Sequence, residues 1–323
     1  MSDIADRYWS FLKKGGIADL SDRAKLRLTG TDRVRYLNGQ ITANVQKLAL
    51  GEARPACVTT AKGRLCADIF VSVDSADMIA AGIGGLLVDA DATLRASLLE
   101  RLDRYIVADD VAIADVTEGL GLLHFLPAPG GGIESLRGAN FSPFEPVTAR
   151  RFGRFGFDFS IPAEAVAGIL DQFAEHHEFL DEPLLEALRV EAGIPRWGRE
   201  LDENTLPPEA GLERTHIDYD KGCYIGQEVI SRLKSIGHVN RRLVGFVARD
   251  TEALQPGMRL FAPGDDAAEI GTLTSAAWSF ALERPIALGY LKRSAQLGEL
   301  LAREAGETGP GRIVRAQDFP LIS

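Results

Sequence analysis

The amino-acid sequence predicts an α+β protein that ends in a small antiparallel β-barrel or sandwich. Its 323 residues correspond to about two domains of ordinary size. Before residue 240, helical and strand-like segments alternate without the regular strand–helix–strand rhythm of a doubly wound sheet. After residue 240, short apolar runs are separated by turn signals such as Pro256-Gly257, which is typical of small β domains. The predicted domains are therefore residues 1–240 and 241–323.

Residues 1–240 contain both kinds of element. Apolar periodicity of helical spacing, as in Leu94, Leu98, Leu102 and Ile106, predicts helices over 6–14, 93–106, 163–175 and 182–192. Apolar runs and period-two patterns predict strands over 25–28, 65–73, 78–88 and 155–159. The predicted barrel strands are 243–247, 258–261, 270–274 and 286–291.

Composition and charge limit the classes of function. The chain has 46% hydrophobic residues, three cysteines and a net charge of −10, and no run approaches the ~20 apolar residues of a membrane span. Its N-terminus resembles no secretory signal. These features predict a cytoplasmic protein that does not contact a membrane, and the lack of a broad basic surface argues against direct nucleic-acid binding.

A local reversal of charge stands out against this acidic background. Residues 181–220 contain eleven acidic and four basic residues, whereas residues 221–242 contain five basic residues and one acidic residue. This pattern suits a compact anionic ligand, and the alternative is a pair of solvated faces. The chain has no phosphate-binding loop, no dinucleotide-binding loop and no metal-ligand spacing among its five histidines, so no metal site is predicted.

Glu191 occupies an unusual position on the predicted helix 182–192. It shares the apolar face of Leu184 and Leu188, and it lies in the last turn, before the expected capping residue Gly193, where the helix dipole opposes a negative charge. Such a carboxylate needs a partner. The partner is either an arginine, such as Arg189, or a ligand with paired donors such as the N3–H and 2-amino groups of a pterin.

A second candidate for a functional site is the segment 221–228, with the sequence Lys-Gly-Cys-Tyr-Ile-Gly-Gln-Glu. A thiol that lies near Lys221 and just before a helix is expected to be reactive, and the alternative for Cys223 is a small buried hydrophobe. Tyr224 either stacks on a planar ligand or fills the core. A helix that includes Val229 and Ile230 is predicted to follow.

The octapeptide KGCYIGQE at 221–228 resembles the signature of the YgfZ-type folate-binding proteins, which are related to the aminomethyltransferase (T-protein) of the glycine cleavage system. Residues 36–42, 62–64, 189–195 and 285–290 resemble further segments of that family, so the resemblance spans nearly the whole chain. It implies an aminomethyltransferase-like, folate-binding domain, with two α+β subdomains around a central channel, followed by a small antiparallel β-barrel.

The resemblance also implies roles for particular residues. Glu191 corresponds to the carboxylate that binds the pterin in T-proteins, and Arg189 belongs to the same segment, which resembles the R-x-E-x-G-x-P element of the family. Asp68 falls where T-proteins have two adjacent acidic residues, and Ala67 replaces the other, which argues against aminomethyl transfer. Cys223 is expected to be a reactive thiol, and Tyr224 to contact the folate.

The basic residues of 221–242 also receive expected roles. Arg232, together with Lys234, Arg241 and Arg242, is expected to hold either the glutamate tail of the folate or an acidic surface of a partner protein. The cofactor implied by the resemblance is tetrahydrofolate or a one-carbon derivative of it.

The predicted function is that of a tetrahydrofolate-binding accessory protein in the assembly or repair of iron–sulfur enzymes, with an indirect effect on tRNA modification. Its expected partners are iron–sulfur client enzymes and assembly proteins. Three cysteines, none in CxxC spacing, favour a helper over a protein that holds a cluster of its own. The alternatives are a folate-dependent aminomethyl or one-carbon transferase and a non-catalytic RNA-binding module.

Overall fold

The computed structural model describes residues 2–74, 84–136, 144–307 and 311–322. Within these ranges the chain forms two five-stranded sheets and a closed six-stranded barrel. The α-helices are α1 (Ser2–Lys14), α2 (Arg33–Gln40), α3 (Arg95–Asp103), α4 (Val166–Ala174), α5 (Glu182–Ala192) and α6 (Gln227–Ser235). The strands of the two sheets are β1 (Gly16–Asp19), β2 (Ala24–Thr29), β3 (Ala53–Thr59), β4 (Leu65–Val73), β5 (Leu86–Ala90), β6 (Ala112–Asp115), β7 (Leu120–Leu126), β8 (Val147–Ala149), β9 (Gly156–Pro162) and β10 (Glu178–Phe179).

The first sheet has the strand order β3-β4-β5-β2-β6, and all its neighbouring strands are antiparallel. Strand β4 alternates strictly: Ala67 and Ile69 are buried in the core of this sheet, whereas Asp68 and Phe70 lie on the opposite face and are partly accessible. Since successive side chains of a strand point to opposite faces, this register determines which β4 residues face the rest of the protein.

The second sheet has the order β10-β1-β7-β9-β8 and is antiparallel except for the short β1–β10 pair. Its core includes Phe125 and Phe159, and α4 contributes Phe173 to the same cluster. At one edge the two sheets meet, because the backbone N–H of Thr148 donates to the carbonyl of Gly51 over 2.8 Å.

A buried ion cluster joins the sheets a second time. The Arg151 guanidinium donates to both carboxylate oxygens of Asp89 on β5, at 3.0 and 2.8 Å, and to Asp158 on β9, at 2.7 to 3.0 Å. It also lies 4.2 Å from the centroid of the Phe70 ring. The two carboxylates satisfy the buried guanidinium, and Arg151 therefore connects the two sheets beside the face of β4 that carries Asp68.

The barrel contains the strands β11 (Arg241–Ala248), β12 (Arg259–Ala262), β13 (Asp265–Ser279), β14 (Arg284–Lys292), β15 (Gly298–Arg303) and β16 (Arg312–Gln317). They close in the order β11-β14-β13-β12-β15-β16, with every pair antiparallel, around a core that includes Phe246, Leu260 and Val314. Helix α5 packs against β13 and connects the barrel to the second sheet.

The predicted α+β class and the C-terminal antiparallel barrel are confirmed. The helix predicted over 93–106 is shorter, since a 3₁₀ turn at Ala92–Leu94 precedes α3, which ends at Asp103. The predicted strand 155–159 begins at Gly156, and Phe155 lies exposed at its start with its ring 5.0 Å from that of Phe157. The sequence reading missed β15 and β16, whose apolar runs are interrupted by charged residues.

The strand predicted over 78–88 lies partly outside the described residues, and of its described part residues 86–88 belong to β5, which continues to Ala90. No helix in the described ranges has both the length and the apolar character that a membrane crossing requires.

Candidate functional site

A cavity of about 870 Å³ lies where the two sheets, the C-terminal end of α5 and the barrel meet. This volume is within the range of about 300–1,000 Å³ that is common for small-molecule sites. We call it the central cavity. Its walls are formed by residues of β3 and β4, by β8 and the residues after it, and by the backbone segments 43–44, 192–195, 210–212 and 214–220. Lys234 of α6 and two residues of the barrel part, Leu243 and Phe319, complete the lining.

Asp68 is the acidic residue that β4 places on the wall of the central cavity. Burial raises the pKa of its carboxyl to about 6, and the positive charge of Arg23 opposes this effect only in part. No ion pair joins this carboxylate to a cation elsewhere in the described ranges. A carboxyl group with a pKa near neutrality both accepts and donates a proton at physiological pH, so Asp68 is suited to acid–base chemistry on a bound ligand.

His216 lies on another wall of the central cavity. Its Nδ1 is 2.7 Å from the Thr215 Oγ1, and desolvation lowers the pKa of the imidazole to about 4. The ring is therefore neutral at physiological pH and offers one hydrogen-bond donor and one acceptor. Sequence reasoning missed this residue because a single histidine has no spacing signal.

The segment that carries His216 is tied to the last part of α2 and to the loop after it. The Lys221 ammonium donates to the backbone carbonyls of Asn38, Ile41 and Ala43 at 2.5, 2.7 and 2.8 Å. The Thr42 hydroxyl donates to the carbonyl of His216 over 2.5 Å. These contacts fix the segment 216–221 against the first sheet and so shape one side of the cavity.

Cationic and aromatic side chains line the outer part of the central cavity. Arg150, Arg214 and Lys234 are exposed there, and the Lys234 Nζ lies 3.7 Å from the centroid of the Tyr219 ring. Phe70 and Leu243 add apolar surface. Four carboxyl residues also line the cavity: Glu52, Asp68, Asp218 and Asp220. Apolar surface beside the Asp68 carboxyl, together with exposed cations, favours a planar ligand that carries a negatively charged end.

Glu191 is not among the residues that line the central cavity, although Ala192 and Gly193 are. Its side chain is only 2% exposed, accepts a hydrogen bond from the Ser279 hydroxyl at 2.6 Å and lies 3.4 Å from the Tyr8 hydroxyl. Burial raises the pKa of this carboxyl. In this structure Glu191 connects α5 with α1 and the barrel.

Arg189 is also buried, and it does not contact Glu191. Its guanidinium forms a bidentate pair with Glu186, at 2.5 and 2.6 Å, and reaches Glu200 at 3.1 Å. The same group donates to the Ser275 hydroxyl of β13 over 2.6 Å. These contacts hold α5 against the barrel.

The other predicted site residues lie outside the walls of the central cavity. Cys223 is exposed and lies four positions before the first residue of α6. Tyr224 is buried at 7% exposure, and the Lys221 ammonium lies 5.2 Å from its ring centroid. Arg232 is exposed on α6. Of the six residues predicted to be catalytic or cofactor-binding, the structure thus brings Asp68 to the cavity wall, and of the basic residues predicted with Arg232 it brings Lys234 there. The roles of all these residues stay predictions.

The described part of the chain contains no group of histidine, cysteine or acidic side chains placed to hold a metal ion. Cys57 is buried in the first sheet, Cys66 is partly buried, and Cys223 is on the surface.

Comparison with known proteins relates the whole chain to one family. The glycine cleavage T-protein C-terminal barrel domain matches residues 241–316. The chain is 30% identical over 320 residues to an aminomethyltransferase of Rubrobacter xylanophilus, and the match covers 93% of this chain and 82% of that protein. It is 28% identical over 278 residues to a mitochondrial iron–sulfur cluster assembly factor homologue of Chaetomium globosum, with 79% and 61% of the two chains covered.

The fold is also that of a solved relative. The crystal structure of the glycine cleavage system aminomethyltransferase T from Bartonella henselae superposes with a TM-score of 0.82, covers 99% of this chain and 89% of its own, and is 16% identical. The fold extends over both sheets and the barrel, and the sequence identity to the Rubrobacter protein exceeds what a shared fold alone requires. The chain belongs to the aminomethyltransferase family.

Proposed function

We propose that this protein binds tetrahydrofolate in the central cavity and acts as an accessory protein in the assembly or repair of iron–sulfur enzymes. The observation that carries the folate part is the cavity itself, which lies between both sheets and the barrel and has Asp68 on its wall. The relatives named aminomethyltransferase support a folate ligand for a cavity of this fold.

The donor and acceptor groups of the cavity fit the chemistry of a folate. A pterin presents paired N–H donors. A carboxylate such as that of Asp68 accepts a hydrogen bond from each of them in a charge-assisted, bidentate contact. Phe70 offers an apolar surface for a planar ring, and His216 offers one further donor or acceptor. The carboxylates of the glutamate part match the exposed cations Arg150, Arg214 and Lys234.

The accessory role rests on a different observation. Similarity to the Chaetomium iron–sulfur factor homologue supports it, as does the exposed thiol of Cys223, which lies three residues after the cavity-lining Asp220. In this proposal Cys223 contacts client proteins at the surface while the folate occupies the interior. The effect on tRNA modification is indirect and passes through client enzymes that carry clusters.

Aminomethyl transfer is the second candidate function, and the position of Asp68 favours it. The residue that replaces an acid of T-proteins, Ala67, is fully buried in the core of the first sheet. Because β4 alternates, only residue 68 of this pair faces the cavity, and its pKa of about 6 suits a proton donor or acceptor. An acid at position 67 is therefore not required for a carboxyl group at the ligand.

Titration calorimetry with tetrahydrofolate tests the binding proposal. We expect the wild-type protein to bind and Asp68→Asn to bind about 10- to 100-fold more weakly, which corresponds to the loss of one charged acceptor. Asp171→Asn, an exposed change on α4, is the matched control and is expected to leave the affinity unchanged. Wild-type protein that does not bind tetrahydrofolate would overturn the proposal.

The variant Glu191→Gln tests the sequence-based assignment of the pterin carboxylate. If Glu191 holds the pterin, this variant loses affinity to the same degree as Asp68→Asn. If Asp68 is the ligand carboxylate, Glu191→Gln retains the affinity, because its side chain keeps its size and faces Ser279 and Tyr8.

Complementation of a cell line or strain that lacks the protein separates the two candidate functions. We expect Cys223→Ser to lower the activity of iron–sulfur client enzymes, whereas the partly buried Cys66→Ser serves as the matched control and keeps it. Full complementation by Cys223→Ser would remove the thiol role. Turnover of tetrahydrofolate with an aminomethyl donor by the purified protein would favour the transferase.

A further inference from the structure

Two aspartates on one face of the first sheet lie in opposite electrostatic environments. Asp89 on β5 binds two arginines, whereas Asp68 on β4, at the wall of the central cavity, forms no ion pair within the described ranges. We propose that Asp89 is a positioning residue that keeps Arg23 away from Asp68, so that the Asp68 carboxyl stays unpaired and free to meet the ligand. This inference rests on the proposed function and deepens it by naming the residue that prepares the ligand-facing carboxyl.

The register of the first sheet places Arg23 within reach of Asp68. Strand β5 pairs with β4 through Asp89 and Phe70, and with β2 through Asp89 and Lys25. Side chains paired in this way share a face of the sheet, and residues two apart on a strand share it too. Asp68 and Arg23, which directly precedes β2, therefore lie on the face of Asp89. Their backbones are separated only by β5, at about 9.5 Å or two strand spacings, which the two side chains together span.

The guanidinium of Arg23 is bound to Asp89 instead. Its Nε donates to Oδ1 of Asp89 over 2.5 Å. Arg151 donates to both oxygens of the same carboxylate, at 3.0 and 2.8 Å, and also binds Asp158. Burial alone would raise the pKa of Asp89, but Arg151 and Arg23 outweigh it and hold this pKa below its ordinary value. The charges of the two arginines and the two aspartates cancel, so this group offers Asp68 no spare cation.

Asp91 is the other acid near Asp68, and among the described residues it binds no arginine. It lies one residue beyond β5, where the registers of the neighbouring strands place it opposite both Asp68 and Arg23. Its carboxylate accepts hydrogen bonds from the backbone N–H and the hydroxyl of Thr93, at 3.0 and 2.5 Å. Arg23 therefore does not pair with the acid on its own level and binds Asp89, two residues earlier on β5.

The remaining surroundings of Asp68 supply no replacement for Arg23. Cys57 pairs with Asp68 across β3 and β4, and burial raises the pKa of its thiol, which therefore stays neutral. Burial is the main cause of the raised pKa of Asp68. Of the nearby charges, Arg23 lowers this pKa, and Asp91 raises it more than Asp89 does. The charged and titratable groups around Asp68 are thus Arg23, Cys57, Asp89, Asp91 and Arg151, and the cavity lining adds Glu52, His216, Asp218 and Asp220.

An Asp68 that paired with Arg23 would be a poorer ligand group. The guanidinium would occupy the carboxylate oxygens, and the N–H donors of a ligand would have to displace it. The unpaired carboxyl accepts such donors directly, and with its pKa of about 6 it also exchanges a proton near neutral pH. The two neighbouring aspartates thus divide two tasks, since Asp89 binds the cations and Asp68 meets the ligand.

A ¹³C NMR titration of the aspartate side-chain carboxyls measures the pKa of Asp68 in the ligand-free protein, and the signal that is absent from Asp68→Asn identifies it. We expect Asp89→Asn to release Arg23, which then pairs with Asp68 and lowers its pKa from about 6 to about 5 or below. Asp91→Asn is the matched control: it removes the acid that acts more strongly on Asp68 but releases no arginine, so it should lower the pKa less. In the double variant Asp89→Asn/Arg23→Gln the pKa should return to about 6, because the guanidinium is gone.

The effect on the ligand is measured separately, by titration calorimetry with tetrahydrofolate at neutral pH. We expect Asp89→Asn to bind about tenfold more weakly than the wild type, because Arg23 competes for Asp68. The double variant Asp89→Asn/Arg23→Gln should recover most of this affinity.

The outcomes separate this inference from the proposed function. If Asp89→Asn leaves the pKa of Asp68 unchanged, or lowers it no more than Asp91→Asn does, the inference is overturned and the folate proposal stands. If the NMR results are as expected and the wild type does not bind tetrahydrofolate, the proposed function alone fails. If Asp89→Asn does not fold, Arg23→Gln decides: a rise of the Asp68 pKa above about 7 would show that Arg23 already pairs with Asp68 and overturn the inference, whereas a smaller rise supports it.

Discussion

The raised pKa of the Asp68 carboxyl leads to a specific prediction about how the stability of the protein depends on pH. Its folded-state pKa of about 6 lies above the ordinary value of 3.8, because burial disfavours the charged form. Below about pH 3 the group is protonated in both the folded and the unfolded state, so it does not change the free energy of unfolding. As the pH rises, the unfolded state ionises first, and folding is penalised in full above about pH 6.

The size of the penalty follows from the two pKa values. A difference between about 6 and 3.8, at about 1.36 kcal/mol per pKa unit, gives roughly 3 kcal/mol as an upper value. Asp68 faces the cavity and is partly accessible, so water screens its charge and we expect about 1–3 kcal/mol. Asp68→Asn removes the charge and should therefore stabilise the protein at pH 7.5 by this amount.

Urea unfolding at several pH values measures the effect. The free energy of unfolding of Asp68→Asn should exceed that of the wild type at about pH 7.5, and the difference should shrink as the pH falls and vanish near about pH 3. The exposed Asp171→Asn serves as control. A difference that is independent of pH, or a variant that is less stable at pH 7.5, would refute the reasoning, since contacts of the amide group alone do not depend on pH in this range.

Three further changes test the contacts that shape the cavity, each by urea or thermal unfolding. Arg151→Leu leaves Asp89 and Asp158 buried without their cation and should cost about 3–5 kcal/mol at neutral pH; a loss below about 1 kcal/mol would contradict the role of this cluster. Gly193→Ala adds a Cβ 2.2 Å from the Phe319 ring at a residue with φ of 75°, so we expect a loss of at least about 1–3 kcal/mol. Lys221→Met removes the donor of three carbonyls and should cost about 1–3 kcal/mol, whereas wild-type stability would show that water replaces the ammonium.

The elements of the fold could be predicted from the sequence wherever local pattern and tertiary environment agree. Strand β4 and helix α5 have the predicted bounds, because an alternating or helical apolar pattern directly reflects one buried face. The strands β15 and β16 were missed, since the charged residues Glu299 and Arg315, which pair with each other in the barrel, interrupt the apolar pattern of each strand. Closure of a barrel buries residues whose burial cannot be predicted from the pattern of either strand alone.

The site was harder to predict than the fold, and Glu191 shows the reason. Its position on the apolar face of α5 correctly predicts burial and a need for partners, but a helical pattern does not specify which element supplies them. The partners are Ser279, which is 88 positions later, and Tyr8, which is 183 positions earlier. Arg151 gives no sequence signal at all, because its carboxylates are brought together only by the meeting of two sheets.

The central cavity also explains how one fold supports the two candidate functions. Asp68 lies on β4, at the wall of the central cavity, whereas Cys223 lies on the surface just before α6. The segment from His216 to Lys221 lies between the cavity and Cys223 along the chain. A transferase needs only the carboxyl of Asp68 in the cavity and an aminomethyl donor that reaches the bound folate. An accessory protein needs the bound folate to be sensed at the surface. The Lys221 ammonium fixes this segment to three carbonyls of α2 and the loop after it, and so provides the rigid connection that such coupling requires. Loss of client activity in Cys223→Ser with unchanged folate affinity would therefore separate the surface task of Cys223 from ligand binding in the cavity.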